Sequence, residues 1–323
     1  MKVGFTTSFP VETVFAAGHI PVDLNNIFIT GKPLKDIEKA EYDGFPRNIC
    51  AWIKGMYGTI VKNNIDVIIG IVEGDCSNTH ALMSNLSEKD FKIIPFSFPY
   101  SREYDALQKE ILKLEDFFQV SHKKVLAIKN RLDKIRKKLI ILDKLTYEAN
   151  KVSGAENHYW LVNSSDFNGN PDKFETELDE FIETAKKRKP FKYKTRLAFL
   201  GVPPIFSDLY EFLLEFKANV VFNEIQRQFS MPYLCNDIVE QYRRYTYPYS
   251  IFHRLEDIKK EIQKRKIDGV ISYAQAFCHR QIDNILIKKH CNKPVLTLEG
   301  DQPGPLDART KLRIESFLDM LEY

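Results

Sequence analysis

Residues 64–70 (Asn-Ile-Asp-Val-Ile-Ile-Gly) and residues 266–272 (Lys-Ile-Asp-Gly-Val-Ile-Ser) are two apolar runs of similar sequence. A continuous apolar run of this length is typical of a strand that is buried on both faces of a parallel sheet. In each case a cysteine follows the aspartate by ten residues, Cys76 in the first run and Cys278 in the second. The two runs therefore predict a repeated α/β unit.

The repeat extends outward from these runs. Residues 2–5 and 196–199 are predicted strands, and a proline follows the end of each by five residues, at Pro10 and Pro204. All doubly wound sheets share a strand-loop-helix order, so the matched proline and cysteine offsets are what favour a duplication. We predict an α/β fold with two Rossmann-like parallel-sheet halves, related by internal duplication, and a helical segment between them.

Three domains are expected along the chain. They are an N-terminal Rossmann-like half at residues 1–100, a mainly helical connecting segment at 101–190 and a C-terminal Rossmann-like half at 191–323. The middle segment carries apolar residues at helical spacing, such as Leu107 and Ile111.

Composition excludes several classes of protein. With 44% hydrophobic and 28% charged residues among 323, the chain has the composition of a soluble globular protein rather than a disordered or fibrous one. A net charge of +3 gives no reason to expect a nucleic-acid or membrane partner. No apolar run approaches the roughly 20 residues that span a bilayer, and the opening residues have no signal-peptide pattern. We expect a cytoplasmic protein.

The five cysteines are an odd number with no CxxC pair, which disfavours a disulfide framework. Ligands of open α/β sheets bind beyond the carboxyl ends of the strands, where Cys76 and Cys278 are predicted to lie. Cys50 precedes the helix that leads into the first apolar run. Three thiolates from separate loops would suit an iron–sulfur cluster, and the alternative is that these are buried apolar cysteines. No GxGxxG, Walker A or GxSxG motif is present.

Both ends of the chain resemble one family. The opening resembles the "VPEE…AAG…PV" start of the 2-hydroxyacyl-CoA dehydratase and benzoyl-CoA reductase family, through Pro10-Val-Glu12, Ala16-Ala-Gly18 and Pro21-Val22. The end is similar to that family's "DGVI…FC…P.L.LE.D…TRIEAF.EML", through Asp268-Gly-Val-Ile271, Phe277-Cys278, Pro294 to Asp301 and Thr310 to Leu321. Within this family, the chain resembles the D-component of 2-hydroxyglutaryl-CoA dehydratase.

The resemblance implies a function. Family subunits hold an iron–sulfur cluster through cysteines in these loops, which carries over to Cys50, Cys76 and Cys278 as ligands of a [4Fe–4S] cluster. It implies a lyase or related reductase of anaerobic metabolism, which passes one low-potential electron to an acyl-CoA thioester and forms a ketyl radical. The electron comes from an ATP-dependent iron–sulfur activator, and the subunit pairs with a second related subunit or forms a homodimer.

The second half departs from the first at one position. Cys50 lies sixteen residues before Asp66, whereas the residue sixteen before Asp268 is Phe252. A symmetric double cluster is therefore disfavoured. Cys235 is the candidate for a fourth ligand, although it could equally be a core residue, and Cys291 is expected to be incidental, in a polar loop before a strand.

Two other functions stay open at this point. One is a cluster-bearing redox or metallocluster-assembly protein that acts on a small substrate or a partner enzyme without a CoA ester. The other is a structural relative that holds no cluster.

Overall fold

The strands that the repeat predicts are present in a computed structural model, which describes residues 1–322. The first ten helices and strands are β1 (Lys2–Phe5), α1 (Glu12–Ala16), β2 (Ile20–Asp23), α2 (Leu24–Thr30), α3 (Pro33–Tyr42), α4 (Ala51–Lys62), β3 (Val67–Glu73), α5 (Ser77–Ser87), β4 (Ile93–Ser97) and α6 (Tyr104–Phe117). The next are α7 (His122–Tyr147), α8 (Gly154–Val162), α9 (Pro171–Lys187), β5 (Thr195–Leu200), α10 (Leu209–Glu215), β6 (Ala218–Asn223) and α11 (Glu224–Phe229). The last are α12 (Ile238–Arg244), α13 (Ile251–Lys264), β7 (Gly269–Gln275), α14 (Asp283–His290), β8 (Val295–Gly300) and α15 (Ala308–Glu322).

The strands form two four-stranded sheets within the described residues, and every pairing is parallel. Their strand orders are β2-β1-β3-β4 and β6-β5-β7-β8. Both sheets therefore place the first strand of the half between its second and third strands. This repeated order confirms the predicted fold class, and helices α6 to α9 lie between the two sets of strands in the sequence.

An aspartate fixes the start of the central strand pair in each sheet. The backbone N–H of Lys2 donates to Asp66 Oδ2 at 2.6 Å, and the N–H of Asp66 donates back to the Lys2 carbonyl at 3.0 Å. In the second sheet the N–H of Arg196 donates to Asp268 Oδ2 at 2.8 Å, and the N–H of Asp268 donates to the Arg196 carbonyl at 2.8 Å. The two aspartates that mark the repeat in the sequence thus have the same structural task.

The chain divides into two compact units. Unit 1 comprises Met1–Lys137, Asn163–Thr176 and Phe229–Ser250, and it contains the first sheet. Unit 2 comprises Lys138–Val162, Glu177–Gln228 and the residues from 251 onward, and it contains the second sheet. No helix within residues 1–322 has the length and apolar character needed to cross a membrane.

The second sheet has apolar side chains on both faces. Leu197 and Phe199 of β5 pack with Phe317 of α15 on one face. Ala198 and Leu200 pack in a separate cluster on the other face, which includes residues of α13. Successive strand residues alternate between faces, so a strand with a cluster on each side reads as a continuous apolar run.

A buried ion-pair network lies in unit 2, centred on Arg265 immediately after the end of α13. Arg265 is 1% exposed, and its guanidinium donates to Asp143 at 2.5 and 2.9 Å and to Glu261 at 2.6 Å. It also donates to the carbonyl of Val221 in β6 at 2.7 Å. Burial alone would raise the pKa of Asp143, but the charge and hydrogen bonds of Arg265 more than offset it and the pKa is lowered.

We expect Asp143→Asn to lower the free energy of unfolding by about 3 kcal/mol at pH 7, because it leaves the buried Arg265 charge undercompensated. A carboxylate with a lowered pKa in the folded state stabilises the fold above its unfolded pKa of about 3.9 and loses this effect as the pH falls through the folded value. The difference between wild type and variant should therefore shrink below about pH 4. Denaturant unfolding at pH 7 and at lower pH measures it.

The matched control is Asp179→Asn, because Asp179 pairs with Lys138 but its side chain is 50% exposed. This control should change the free energy of unfolding little at any pH. Equal free energies of unfolding for the two variants would show that the Arg265 network does not stabilise unit 2.

Candidate functional site

The carboxyl ends of β1 and β3 in unit 1, and of β5 and β7 in unit 2, are the topological switch points of the two sheets. Adjacent connections leave in opposite directions there, which opens a crevice where ligands of α/β proteins bind. The loops that follow these four strands are therefore the first places to look for functional side chains.

Cys76 lies three residues after β3 and is the residue immediately before α5. Its backbone is extended, with φ −82° and ψ 159°, and its N–H donates to Asp75 Oδ1 at 2.8 Å. Asp75 Oδ2 accepts from the Thr79 hydroxyl at 3.2 Å, which ties the loop to the first turn of α5. Gly74 makes the turn possible, because its φ is +95° and a Cβ there would lie 2.6 Å from Pro248.

Burial raises the pKa of the Cys76 thiol, and the negative charge of Asp75 adds to the effect. The Sγ atom lies 3.8 Å from the Thr79 hydroxyl oxygen. The thiol therefore stays protonated at neutral pH unless a metal ion displaces the proton, as metal ligation does for cysteine.

Cys50 and Cys76 contact one apolar cluster in unit 1. Cys50 is the residue immediately before α4 and is 9% exposed, in a buried cluster that includes Leu24 and Ile53. Cys76 packs against that cluster. Because α4 leads into the parallel strand β3, its first residue lies at the carboxyl edge of the sheet. The structure thus brings Cys50 and Cys76 to one cluster at one edge.

Cys278 has the corresponding position in unit 2. It lies three residues after β7, as Cys76 lies three residues after β3, and it directly precedes the 3-10 turn His279–Gln281. Its backbone is extended, with φ −87° and ψ 132°, and its N–H donates to the Gln275 carbonyl at 3.1 Å. The preceding residue, Phe277, has φ +64° and is 53% exposed.

A small pocket at the β5/β7 switch point is lined by Cys278. The other lining residues include Gly201, Arg254, Ser272, Arg280 and Asn284. Gly201 has φ +112°, and a Cβ there would lie 2.1 Å from the carbonyl oxygen of Tyr273, so only glycine fits.

Arg254 is the buried cation of this pocket. It is 2% exposed and donates to both carboxylate oxygens of Glu224, at 2.7 and 2.9 Å. Its third nitrogen donates to Asp283 at 3.1 Å. Glu224 Oε2 also accepts from the N–H of Gly201 at 3.1 Å, so the pair ties the loop after β5 to the start of α11.

The other two cysteines and His279 differ in their surroundings. The Cys235 thiol donates to the Tyr233 carbonyl at 3.3 Å, and burial raises its pKa. Cys291 lies in the loop before β8, as predicted, but its surroundings are apolar rather than polar: it is 5% exposed in the core of unit 2, where burial raises its pKa to about 11. It follows the buried Ile287 by four residues, which is the helical spacing that could have revealed it. The pKa of His279 is lowered by burial and then by the charge of Arg280, so this histidine is neutral at pH 7.

Cys50 precedes α4, and the residue at the corresponding place before α13 is Ser250. Counting back from Asp268 gives Phe252 instead, because α13 has 14 residues whereas α4 has 12. No group of three or more His, Cys, Asp or Glu side chains within residues 1–322 has the arrangement of a metal site.

Comparison with known proteins identifies the family of this chain. Residues 6–321 match the model of the 2-hydroxyglutaryl-CoA dehydratase D-component family. The chain belongs to this family. The match covers nearly the whole chain, from the end of β1 to the last turn of α15. A search of curated proteins found no match.

Two features of the two sheet edges were missed from the sequence. Glu224 is the ion-pair partner of Arg254, and a charged residue directly after the apolar strand β6 was the available signal. The hydroxyls of Ser8 and Tyr245, in unit 1, are both buried. No local pattern indicates that these two residues are near the Cys76 loop.

We expect Arg254→Lys to lower the free energy of unfolding by about 3 kcal/mol, because lysine cannot make the two parallel bonds to Glu224 and leaves a buried carboxylate partly unpaired. The control is Arg244→Lys, since Arg244 binds Glu240 with a side chain that is 53% exposed. That change should have little effect. Chemical denaturation of both variants measures the difference, and equal stability would argue against a structural role for the Arg254 pair.

Proposed function

We propose that this protein is the cluster-bearing subunit of a 2-hydroxyacyl-CoA dehydratase-type enzyme. It holds a [4Fe–4S] cluster through Cys50, Cys76 and Cys278, and it acts on a CoA thioester by radical dehydration or reduction. An ATP-dependent iron–sulfur activator supplies the electron, and a second related subunit or a second copy of the chain completes the enzyme. Membership of the D-component family supports the class of reaction.

The observation that carries the cluster assignment is the shared position of the three cysteines. Each one is the residue immediately before a helix or 3-10 turn, and none of the three makes a side-chain capping hydrogen bond. Serine, threonine or aspartate is usual at such positions, where the side chain caps the helix. Cysteine at all three of these positions departs from that preference.

The donor chemistry of these positions fits an iron–sulfur cluster. At Cys76 the backbone N–H groups of Asn78 and Thr79, in the first turn of α5, lower the pKa of the thiol and partly oppose the effects of burial and Asp75. In unit 2 Arg254 and Arg280 line the same pocket as Cys278, where Glu224 and Asp283 compensate their charges. Soft thiolate ligands are what iron–sulfur clusters require.

The cluster supplies a single low-potential electron to the thioester when it is bound. The part of the chain is to hold the sulfur atoms and to limit water around them. Burial of Cys50 and partial burial of Cys76 and Cys278 serve the second purpose. Three protein ligands would leave a fourth iron accessible to a substrate oxygen, whereas a fourth ligand such as Cys235 would close that position.

We expect anaerobically purified protein to contain about four irons per chain and to show a brown charge-transfer band. Each single change Cys50→Ser, Cys76→Ser or Cys278→Ser should lower the iron content by at least half, because two remaining thiolates cannot hold the cluster firmly. Iron and sulfide analysis measures the result. The control Cys291→Ser should keep full iron, since Cys291 lies in the apolar core of unit 2.

Cys235→Ser decides the fourth ligand. Loss of iron in this variant would make Cys235 a ligand and weaken the case for an open iron. About eight irons per chain would indicate a double cluster. Protein without iron and sulfide after anaerobic isolation would contradict the cluster assignment itself.

Turnover separates the proposed enzyme from a redox protein. The protein, with activator, ATP and a second subunit, should dehydrate a 2-hydroxyacyl-CoA thioester. If the protein held iron but bound no member of a thioester panel, an electron-transfer or cluster-assembly role without a CoA ester would be favoured instead.

A further inference from the structure

Two buried carboxylates lie next to each other at the carboxyl end of β2. Asp23 is the last residue of β2 and is 6% exposed, and Asp166, 143 residues later in the chain, is 7% exposed. The backbone N–H of Asp23 donates to Asp166 Oδ2 at 2.8 Å, and both residues belong to unit 1. Buried carboxylates in proteins are usually paired with a cation or a metal ion, so two together without one call for a physical explanation.

Neutral groups supply the hydrogen bonds of the pair. Asp23 Oδ1 accepts from the backbone N–H and the side-chain amide of Asn25, at 2.9 and 3.0 Å, and its Oδ2 accepts from the Ser165 hydroxyl at 2.6 Å. Asp166 Oδ1 accepts from the N–H of Asn168 at 2.9 Å. Among residues 1–322 no lysine, arginine or histidine forms an ion pair with either carboxylate.

The elements packed around the neighbouring Phe167 add no free cation. Helices α1 and α9 contact its ring through phenylalanines, and α7 contacts it through Arg136, whose guanidinium carbon lies 5.9 Å from the ring centre. Arg136 is already paired with Glu12 and Asp133, at 2.8 and 2.9 Å. The two carboxylates therefore face each other without a compensating charge.

These surroundings make the pair bind a proton near neutral pH. Burial raises the pKa of Asp166, and the negative charge of Asp23 raises it further, to about 7. Burial also raises the pKa of Asp23, although its hydrogen bonds with Ser165 and Asn25 oppose the shift. Because the two groups interact, the protons belong to the pair rather than to one residue. As the pH rises through about 7, the pair loses its last proton and carries two negative charges.

The pair joins a strained turn to the sheet. Phe167 and Asn168, which directly follow the second carboxylate, have φ of +53° and +52°. This left-handed conformation is unfavourable for phenylalanine and persists only where surrounding contacts hold it. On the sheet side Asn25, which is bonded to Asp23, donates to the carbonyl of Thr6 at 2.9 Å. Thr6 is the residue after β1, so the contacts extend from the turn to the switch-point loop of the first sheet.

We propose that Asp23 and Asp166 form a proton-dependent latch that holds the turn at residues 163–169 against the carboxyl end of β2. The latch is closed while the pair keeps one proton. When both carboxylates are ionised, their repulsion has no compensating cation, and this favours opening of the strained turn. Opening separates the Ser165 hydroxyl from Asp23 and loosens the support of the loop after β1. The latch depends only on contacts within unit 1 and is independent of the cluster assignment.

Hydrogen exchange of residues 163–176 in anaerobically purified full-length protein tests the latch between pH 5 and pH 9. An opened turn releases the proton that the closed turn binds, because an aspartate in an unfolded chain has a pKa of about 3.9. The closed turn is therefore most stable at low pH and loses stability as the pH rises to about 7. After correction for the intrinsic exchange rate, the equilibrium constant for opening should rise about tenfold per pH unit up to about pH 7 and then stay constant.

Two variants and a control assign the dependence on pH to the pair. Asp166→Asn should abolish it, because asparagine cannot ionise, whether or not the turn is more open at every pH. Asp23→Asn should shift it to lower pH by removing the neighbouring charge, and the variant can still bond Ser165, whose hydroxyl accepts as well as donates. The control is Asp172→Asn, because Asp172 lies in the same segment with a side chain that is 86% exposed. It should keep the wild-type dependence.

Three outcomes would overturn the proposal. An opening constant of the wild-type protein that did not change between pH 5 and pH 7 would show that the pair binds no proton there. An unchanged dependence on pH in both Asp166→Asn and Asp23→Asn would assign it to other groups. Loss of the dependence in Asp172→Asn would mean that the exposed charge of the segment, and not the buried pair, controls opening.

Discussion

The pairing of the first and third strands in each sheet is the constraint on which the rest depends. Asp66 and Asp268 each accept a hydrogen bond from the backbone of the neighbouring first strand, so the register between the two central strands is fixed at their amino ends. A shift of one residue would move every side chain of the strand to the other face. With the register fixed, the carboxyl ends of the strands come to corresponding levels, and a cysteine follows each third strand by three residues.

Buried charges provide the second layer of organisation, and each is compensated within its own unit. In unit 1, Arg136 is 2% exposed and donates to Glu12 at 2.8 Å, while Gln241 donates to the same carboxylate at 3.0 Å. Unit 2 has the Arg254 and Arg265 networks. Ion pairs of this kind contribute little net stability compared with apolar packing, but removing one partner is costly. They therefore select one arrangement of the loops around the sheet edges, where the candidate cysteines lie.

The sequence was sufficient for the fold because the signals are local. The apolar runs that became β3 and β7 are buried on both sides, and the offsets of the following cysteines survive in three dimensions. The sequence pattern was less reliable for the exact ends of helices. Apolar periodicity does not fix the first residue of a helix. The sequence count therefore matched Phe252 to Cys50, whereas the residue before α13 is Ser250. The partners of Arg254 and the neighbours of Tyr245 lie far away in the chain, and no periodicity encodes such contacts. The ligand role of the three cysteines remains a prediction.

The division of the chain between the two units has a consequence for how the protein is made. Unit 1 needs Asn163–Thr176 and Phe229–Ser250 in addition to its first 137 residues, so it is incomplete until residue 250 has left the ribosome. Its first sheet is synthesised long before the segment that carries Tyr242 and Tyr245. The hydroxyl of Tyr242, which bonds Glu12, thus joins two stretches of chain that emerge far apart in time. Neither unit can be produced as one uninterrupted fragment.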